Sequence, residues 1–187
     1  MRKKMKPAIG IIAFGLFLVA SPFLISHAQK KSETQNGENK NQDEHELQMR
    51  QEVAKSVVGS FLFDTISIKE PKWELSKANY WERDDNSKFS NVGMSLKKRD
   101  NSVGISISEF DSAKDADQRF QVVRSYGASV PFNTYGDKGE KLVGERGDLI
   151  GIRFRKDNFF LSIFSRDPKT AERFAVYALD AIKSHAK

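Results

Sequence analysis

Ile150-Gly151-Ile152-Arg153-Phe154-Arg155-Lys156-Asp157-Asn158-Phe159-Phe160-Leu161-Ser162-Ile163-Phe164 decides the fold class. Ile150, Ile152 and Phe154 alternate with Gly151, Arg153 and Arg155. A period of two puts successive side chains on opposite faces of a strand. Lys156-Asp157-Asn158 makes a turn, and a second strand follows. There Phe159, Leu161 and Ile163 point one way, and Phe160, Ser162 and Phe164 the other. Apolar groups on both sides predict a strand in the middle of a sheet. Asp167-Pro168 then starts a helix, with a capping carboxylate and proline in the first helical position. Phe174, Ala178, Ala181 and Ile182 form its predicted buried side. Its end, Lys183 to Lys187, sets cations at the negative pole of the helix dipole.

The same order of elements occurs upstream. Val92, Met94 and Leu96 alternate with Gly93, Ser95 and Lys97, and Arg99-Asp100-Asn101-Ser102 follows as a turn. Val103, Ile105 and Ile107 then alternate with Gly104, Ser106 and Ser108. This is a hairpin with one buried face. Asp111 or Ser112 caps a following helix whose apolar side is Ala113, Ala116, Phe120 and Val123, and Tyr126-Gly127 ends it. Aligning Asp100-Asn101 with Asp157-Asn158 gives a ββα unit used twice.

Between and before these units the pattern is weaker. His45 to Phe61 reads as a helix with Leu47, Ala54, Val57, Val58 and Phe61 on one face. Thr65-Ile66-Ser67-Ile68 reads as a short strand. Trp73-Glu74-Leu75 reads as a second strand, continued after an interruption at Tyr80-Trp81. Asp84-Asp85-Asn86-Ser87 is a turn or loop. Ser129 to Gly147 is glycine-bearing and irregular, with one strand at Lys141-Leu142-Val143. The expected architecture is α+β: an antiparallel sheet with flanking helices, in which an N-terminal helix and short strands precede two ββα units.

Residues 1–28 read as an export signal. The start is basic, Pro7 to Ile25 carries no charge, and Ser26-His27-Ala28 supplies small residues for cleavage. Pro22 and that triplet favour cleavage over an uncleaved anchor. Residues 29–44 are polar throughout and read as a disordered spacer, leaving residues 45–187 as a single domain. The four basic residues of the signal account for most of the net charge of +6; without them, 27 basic residues face 25 acidic ones. A nearly balanced chain gives no global argument for nucleic acid, and a membrane partner is expected only through an uncleaved signal. Cysteine is absent and so is any Asn-x-Ser/Thr acceptor.

Chemistry is sparse. Beyond the signal only His45 and His185 remain as histidines, no Gly-x-Ser-x-Gly elbow exists, and no catalytic residue is assigned. Asp43-Glu44-His45-Glu46 is a helix start rather than a metal site, because the dipole favours acidic groups there. Gly136, Gly139, Gly144 and Gly147 match no phosphate or dinucleotide loop, so neither metal nor cofactor is expected. Arg146-Gly147-Asp148 is ordinary turn chemistry ahead of a strand. Two sets of residues are candidates for ligand binding. Lys97, Lys98 and Arg99 with Arg153, Arg155 and Lys156 form one cationic patch if the hairpins sit side by side. Trp73 and Trp81, with Tyr80, are aromatics able to line a groove.

The element order of the Ile150–Phe164 hairpin, the terminal helix and the Val92–Val123 unit resembles small exported domains of the PsbP-like kind. The resemblance runs from Val92 to the C-terminus and implies an accessory or binding role, without carrying over any residue. The expectation is therefore an exported, secreted or periplasmic, non-catalytic binding domain with an envelope or extracellular partner. The alternatives are a carboxylate-dependent hydrolase of glycans and a membrane-anchored structural subunit with its domain outside.

Overall fold

The structure, a computed structural model, describes residues 42–84, 88–122, 128–144, 146 and 149–185. The signal, most of the spacer, Asp85 to Ser87 of the expected turn, Val123, the Tyr126-Gly127 helix end, Gly147-Asp148 and the terminal Ala186-Lys187 lie outside the described residues.

Helix α1 spans residues 42–54, so three residues assigned to the spacer are helical. Helix α2 spans Val57–Lys69. Strands β1 Glu74–Trp81, β2 Phe89–Lys98 and β3 Asn101–Phe110 follow, then α3 Ala113–Val122. Strands β4 Ala128–Pro131, β5 Lys138–Val143, β6 Leu149–Lys156 and β7 Phe159–Ser165 lead to α4 Pro168–His185. The strands form one open antiparallel sheet in the order β1-β2-β3-β7-β6-β5-β4, with helices flanking it. The fold class is α+β, as the hairpin patterns predict. Among the described residues no helix is long and apolar enough to cross a membrane.

Both hairpins form as read. Val92, Met94 and Leu96 pair with Ile107, Ile105 and Val103. Strand β7 is central: Leu161 pairs with Ile107 on one side and Phe154 on the other. Its alternation feeds two cores. Phe159, Leu161 and Ile163 join Val92, Leu96, Ile152 and Phe154 beneath α2 and α4. Phe160 joins Phe110 and Ala116 beneath α3. The buried side of α4 is the one its spacing predicts, with Phe174, Ala178, Ala181 and Ile182 fully buried. Asp167 caps it, accepting from Lys169 N at 3.2 Å and from the Thr170 hydroxyl at 2.6 Å.

Both ββα units form, as β2-β3-α3 and β6-β7-α4, and they match most closely in the hairpins. Arg99 and Asp157 both take positive φ, at 54° and 53°. Geometry therefore equates Arg99-Asp100 with Asp157-Asn158, one residue away from the alignment by identity. The helices differ more: α3 and α4 pack on opposite faces of the sheet.

The N-terminal elements depart most from expectation. Thr65–Ile68 is helical rather than a strand. Ile66 and Ile68 alternate, but in a helix this sets them on opposite sides, and Ile66 is buried while Ile68 is exposed. Burial at Val58, Gly59, Leu62, Phe63 and Ile66 follows helical spacing. The single helix expected over His45–Phe61 is two helices, broken at Ser56, whose hydroxyl accepts from Gly59 N at 3.1 Å and restarts the chain as α2. Of the expected face only Val58 is buried: Leu47, Ala54, Val57 and Phe61 are exposed, while Met49, Val53 and Leu62 are buried. Gly59 lets α2 sit close on the sheet, since a β-carbon there would stand 2.9 Å from Val92 Cγ1. The interruption expected between Leu75 and Tyr80 is a bulge between Leu75 and Lys77 within one strand. Ser129–Gly147 is more regular than expected: β4 and β5 pair, and Gly136 turns between them at φ 74° with Arg155 O where a β-carbon would go.

Candidate functional site

The cationic residues do not form one patch. The hairpins are neighbours, but β3 and β7 run antiparallel, with Val103 opposite Ser165 and Glu109 opposite Phe159. The two turns therefore lie at opposite ends of the sheet, about 30 Å apart by strand rise. Asn158 in one turn bonds the far end of β3, donating to Phe110 O at 2.8 Å.

The β6 cations are held internally. Arg153 is buried, ion-paired with Glu140, and has its guanidinium 5.4 Å from the Phe120 ring centre. Arg155 reaches Asp117 at 3.4 Å and Asp137 at 3.1 Å. Lys156 bridges Asp137 and Asp157, both at 3.1 Å. These contacts clamp α3 and the β4–β5 turn to the sheet. Lys138 completes the clamp at 2.6 Å from Asp117. Its hydrogen bond, helped by the charge of Arg155, holds the Asp117 carboxyl below its ordinary range. Burial pushes Asp137 up, but the Asp157 N–H, Lys156 and Arg155 together outweigh it and leave it lowered. At the other turn, Lys98 stands 3.9 Å from Glu70, while Lys97 and Arg99 are exposed.

The aromatic candidates separate. Trp73 is 5% exposed and packs edge-on to Phe174 with ring centres 5.2 Å apart, so it belongs to the core. Tyr80 packs partly buried against that core. Trp81 is 70% exposed. It is the last residue of β1, opposite Asn91, and projects on the sheet face away from α2 and α4.

That face is where the structure assembles a site. Among the described residues, helix α3 covers only one part of it, over Phe110 and Phe160. The remainder is floored by residues that alternate with the core positions: Gly93 and Ser95 on β2, Gly104, Ser106 and Ser108 on β3, and Ser162 on β7. Their small side chains leave a trough. At Gly104 a β-carbon would meet nothing within 4 Å. The Asn91 amide donates to Ser106 Oγ and Ser108 Oγ, both at 2.9 Å, and to Ile107 O at 3.2 Å. Both serine oxygens thus serve as acceptors; Ser106 is half-buried, with its O–H free to turn toward the trough, and Ser108 is buried.

The trough has aromatic walls. A groove of about 640 Å³ is lined by Trp81, Phe89, Phe164 and the Asn91–Ser108 floor, with Glu82 and Asp84 beside Trp81 and Arg119 from α3. The Arg119 guanidinium lies 5.5 Å from the Phe89 ring centre. Phe164, 48% exposed, also borders a hollow of about 250 Å³ over Gly93 and Gly104, and another beside Ser102 and Arg166. From Ser102 to Ser108 these hollows follow β3 for about 20 Å. Among the described residues, no cluster of histidine and acidic side chains could hold a metal ion.

Sequence reading missed Asn91, Ser106, Ser108, Ser162, Phe164 and Arg119. The signal that points to them is the size of the outward residues. Glycine and serine where a solvated face usually carries long polar chains leave a depression.

Compared with known protein families, characterised proteins and solved structures, the chain matches none.

Proposed function

We propose that this is an exported, non-catalytic binding or accessory domain of the cell envelope or extracellular space, and that its ligand lies across the uncovered trough of the sheet. The observation that carries the reading is Trp81: a large aromatic 70% exposed beside a trough floored by small polar side chains. Burying such a ring on binding is favourable, and the floor offers both donors and acceptors. The export signal and the PsbP-like order of elements point the same way.

The carboxylates of the groove favour binding over hydrolysis. Among the described residues lining it, they come only from Glu82 and Asp84, two positions apart at one rim, and the α3 side supplies Arg119. Cleavage of a glycosidic bond by paired carboxylates places them on opposite sides of the bond.

Two measurements test the proposal. Sedimentation of the exported chain with native envelope should be lost in Gly104→Leu, which fills the trough, and kept in Lys97→Ala. Equal retention of both variants would overturn the trough as the binding face. Mass spectrometry of the exported protein should find Gln29 as the first residue. An intact residue 1–28 segment in the membrane fraction would replace export by anchoring.

A further inference from the structure

We infer that the ligand held in this trough is a neutral glycan, with a sugar ring stacked on Trp81 and its hydroxyls meeting the serine–asparagine floor. The inference rests on the binding reading above and names the chemistry of the ligand. Three features select it.

The exposed aromatics stand at the walls and the polar groups lie on the floor. A sugar has the complementary form: C–H groups cover its ring faces, and hydroxyls project around its edge. The C–H face meets the negative face of an indole, and the edge meets hydrogen-bonding groups.

The floor is wired for hydroxyl partners. Asn91 spends its amide hydrogens on Ser106, Ser108 and Ile107 O. Each serine oxygen is thereby committed as an acceptor, so the O–H of the half-buried Ser106 is left to donate to a ligand oxygen, while the buried Ser108 fixes the Asn91 amide. A purely apolar ligand would bury the Ser106 hydroxyl without a partner, at about 1–3 kcal/mol.

Charge along the trough is mixed rather than uniformly basic. Among the described residues, Glu82 and Asp84 stand at the Trp81 end, Arg119 lines the same groove, and Lys77 and Arg166 border the adjoining hollows, so a polyanion meets no continuous positive surface. The β6 cations, which would otherwise attract an anionic chain, are tied to Glu140, Asp117 and Asp137. An extended peptide binds most readily along an unpaired strand edge, whereas the trough is floored by strands paired on both sides.

The test is native affinity electrophoresis of the full exported chain in gels containing soluble neutral polysaccharides: a β-glucan, an α-glucan and a mannan. Polygalacturonate serves as the polyanionic comparison. At least one neutral polymer should retard the wild type. Trp81→Ala and Gly104→Leu should each weaken that retardation at least tenfold, with melting temperatures showing that both variants fold. Retardation by polygalacturonate alone, by none of the polymers, or equally in wild type and Trp81→Ala would overturn the glycan assignment. Envelope sedimentation separates the two levels. Loss of envelope binding in Gly104→Leu without any glycan retardation leaves the trough as the binding face and removes the glycan. Envelope binding unchanged in Gly104→Leu removes both.

Discussion

Phe164 lies across Gly151, its partner on β6: a β-carbon at position 151 would stand 2.8 Å from the Phe164 ring and 2.8 Å from Ile163 O. The absent side chain is what lets Phe164 lie flat and wall the trough. Gly151→Ala should therefore displace the ring and destabilise the domain by about 1–3 kcal/mol, the usual cost of overpacking. Chemical denaturation measures the loss. Gly104→Ala, with open space around the new methyl, should instead leave stability unchanged or raise it by up to about 1 kcal/mol.

Arg99 carries backbone strain. Its φ of 54° is a conformation that glycine adopts freely and a long side chain does not. Arg99→Gly should raise the melting temperature by a few degrees, since relief of about 1 kcal/mol exceeds the added freedom of the unfolded chain. A lower melting temperature would show that the arginine side chain contributes more than its backbone costs.

Arg153 and Glu140 form a pair whose side chains are 7% and 13% exposed. Removing one partner strands the other. Arg153→Ala should cost about 3–5 kcal/mol. Replacing both by apolar residues of similar size, as in Arg153→Met with Glu140→Leu, should recover much of that loss. The double-mutant cycle measures the coupling directly.

Acid should weaken the fold. Asp117, Asp137 and Asp167 are all held below the ordinary 3.8 in the folded chain. Lys138, the Asp157 N–H with Lys156, and Thr170 supply the hydrogen bonds that favour the charged forms. The unfolded chain thus binds more protons in that range, so stability rises with pH through it. The contribution is complete above 3.8 and is lost as pH falls through the lowered folded values. Denaturation midpoints should be flat from pH 7 to about pH 5 and then decline below about pH 4. In Asp117→Asn the decline should be shallower.

How far the sequence could be read follows from where each contact originates. Val92–Ile107 and Ile150–Phe164 were legible because a hairpin is local: its period, turn and register lie within one short stretch. Asp167 and the α4 stripe were legible for the same reason. Thr65–Ile68 misled because Ile66 and Ile68 satisfy a two-residue period by chance, while Val58 and Leu62 supply the helical one. The site was the least legible part. Trp81, Ser106 and Phe164 come from three strands, and only the order β1-β2-β3-β7 makes them neighbours. The cationic patch failed on the same ground, because adjacency of two hairpins does not fix the ends to which their turns point.

The central claim is that ligand covers the uncovered sheet face. Oxidative footprinting of the two tryptophans tests it most directly, because one is 70% exposed and the other 5%. With the chain alone, Trp81 should oxidise readily and Trp73 slowly. Saturating native envelope should protect Trp81 strongly and leave Trp73 unchanged. Bound protein in which Trp81 oxidises as fast as in the free chain would contradict the claim.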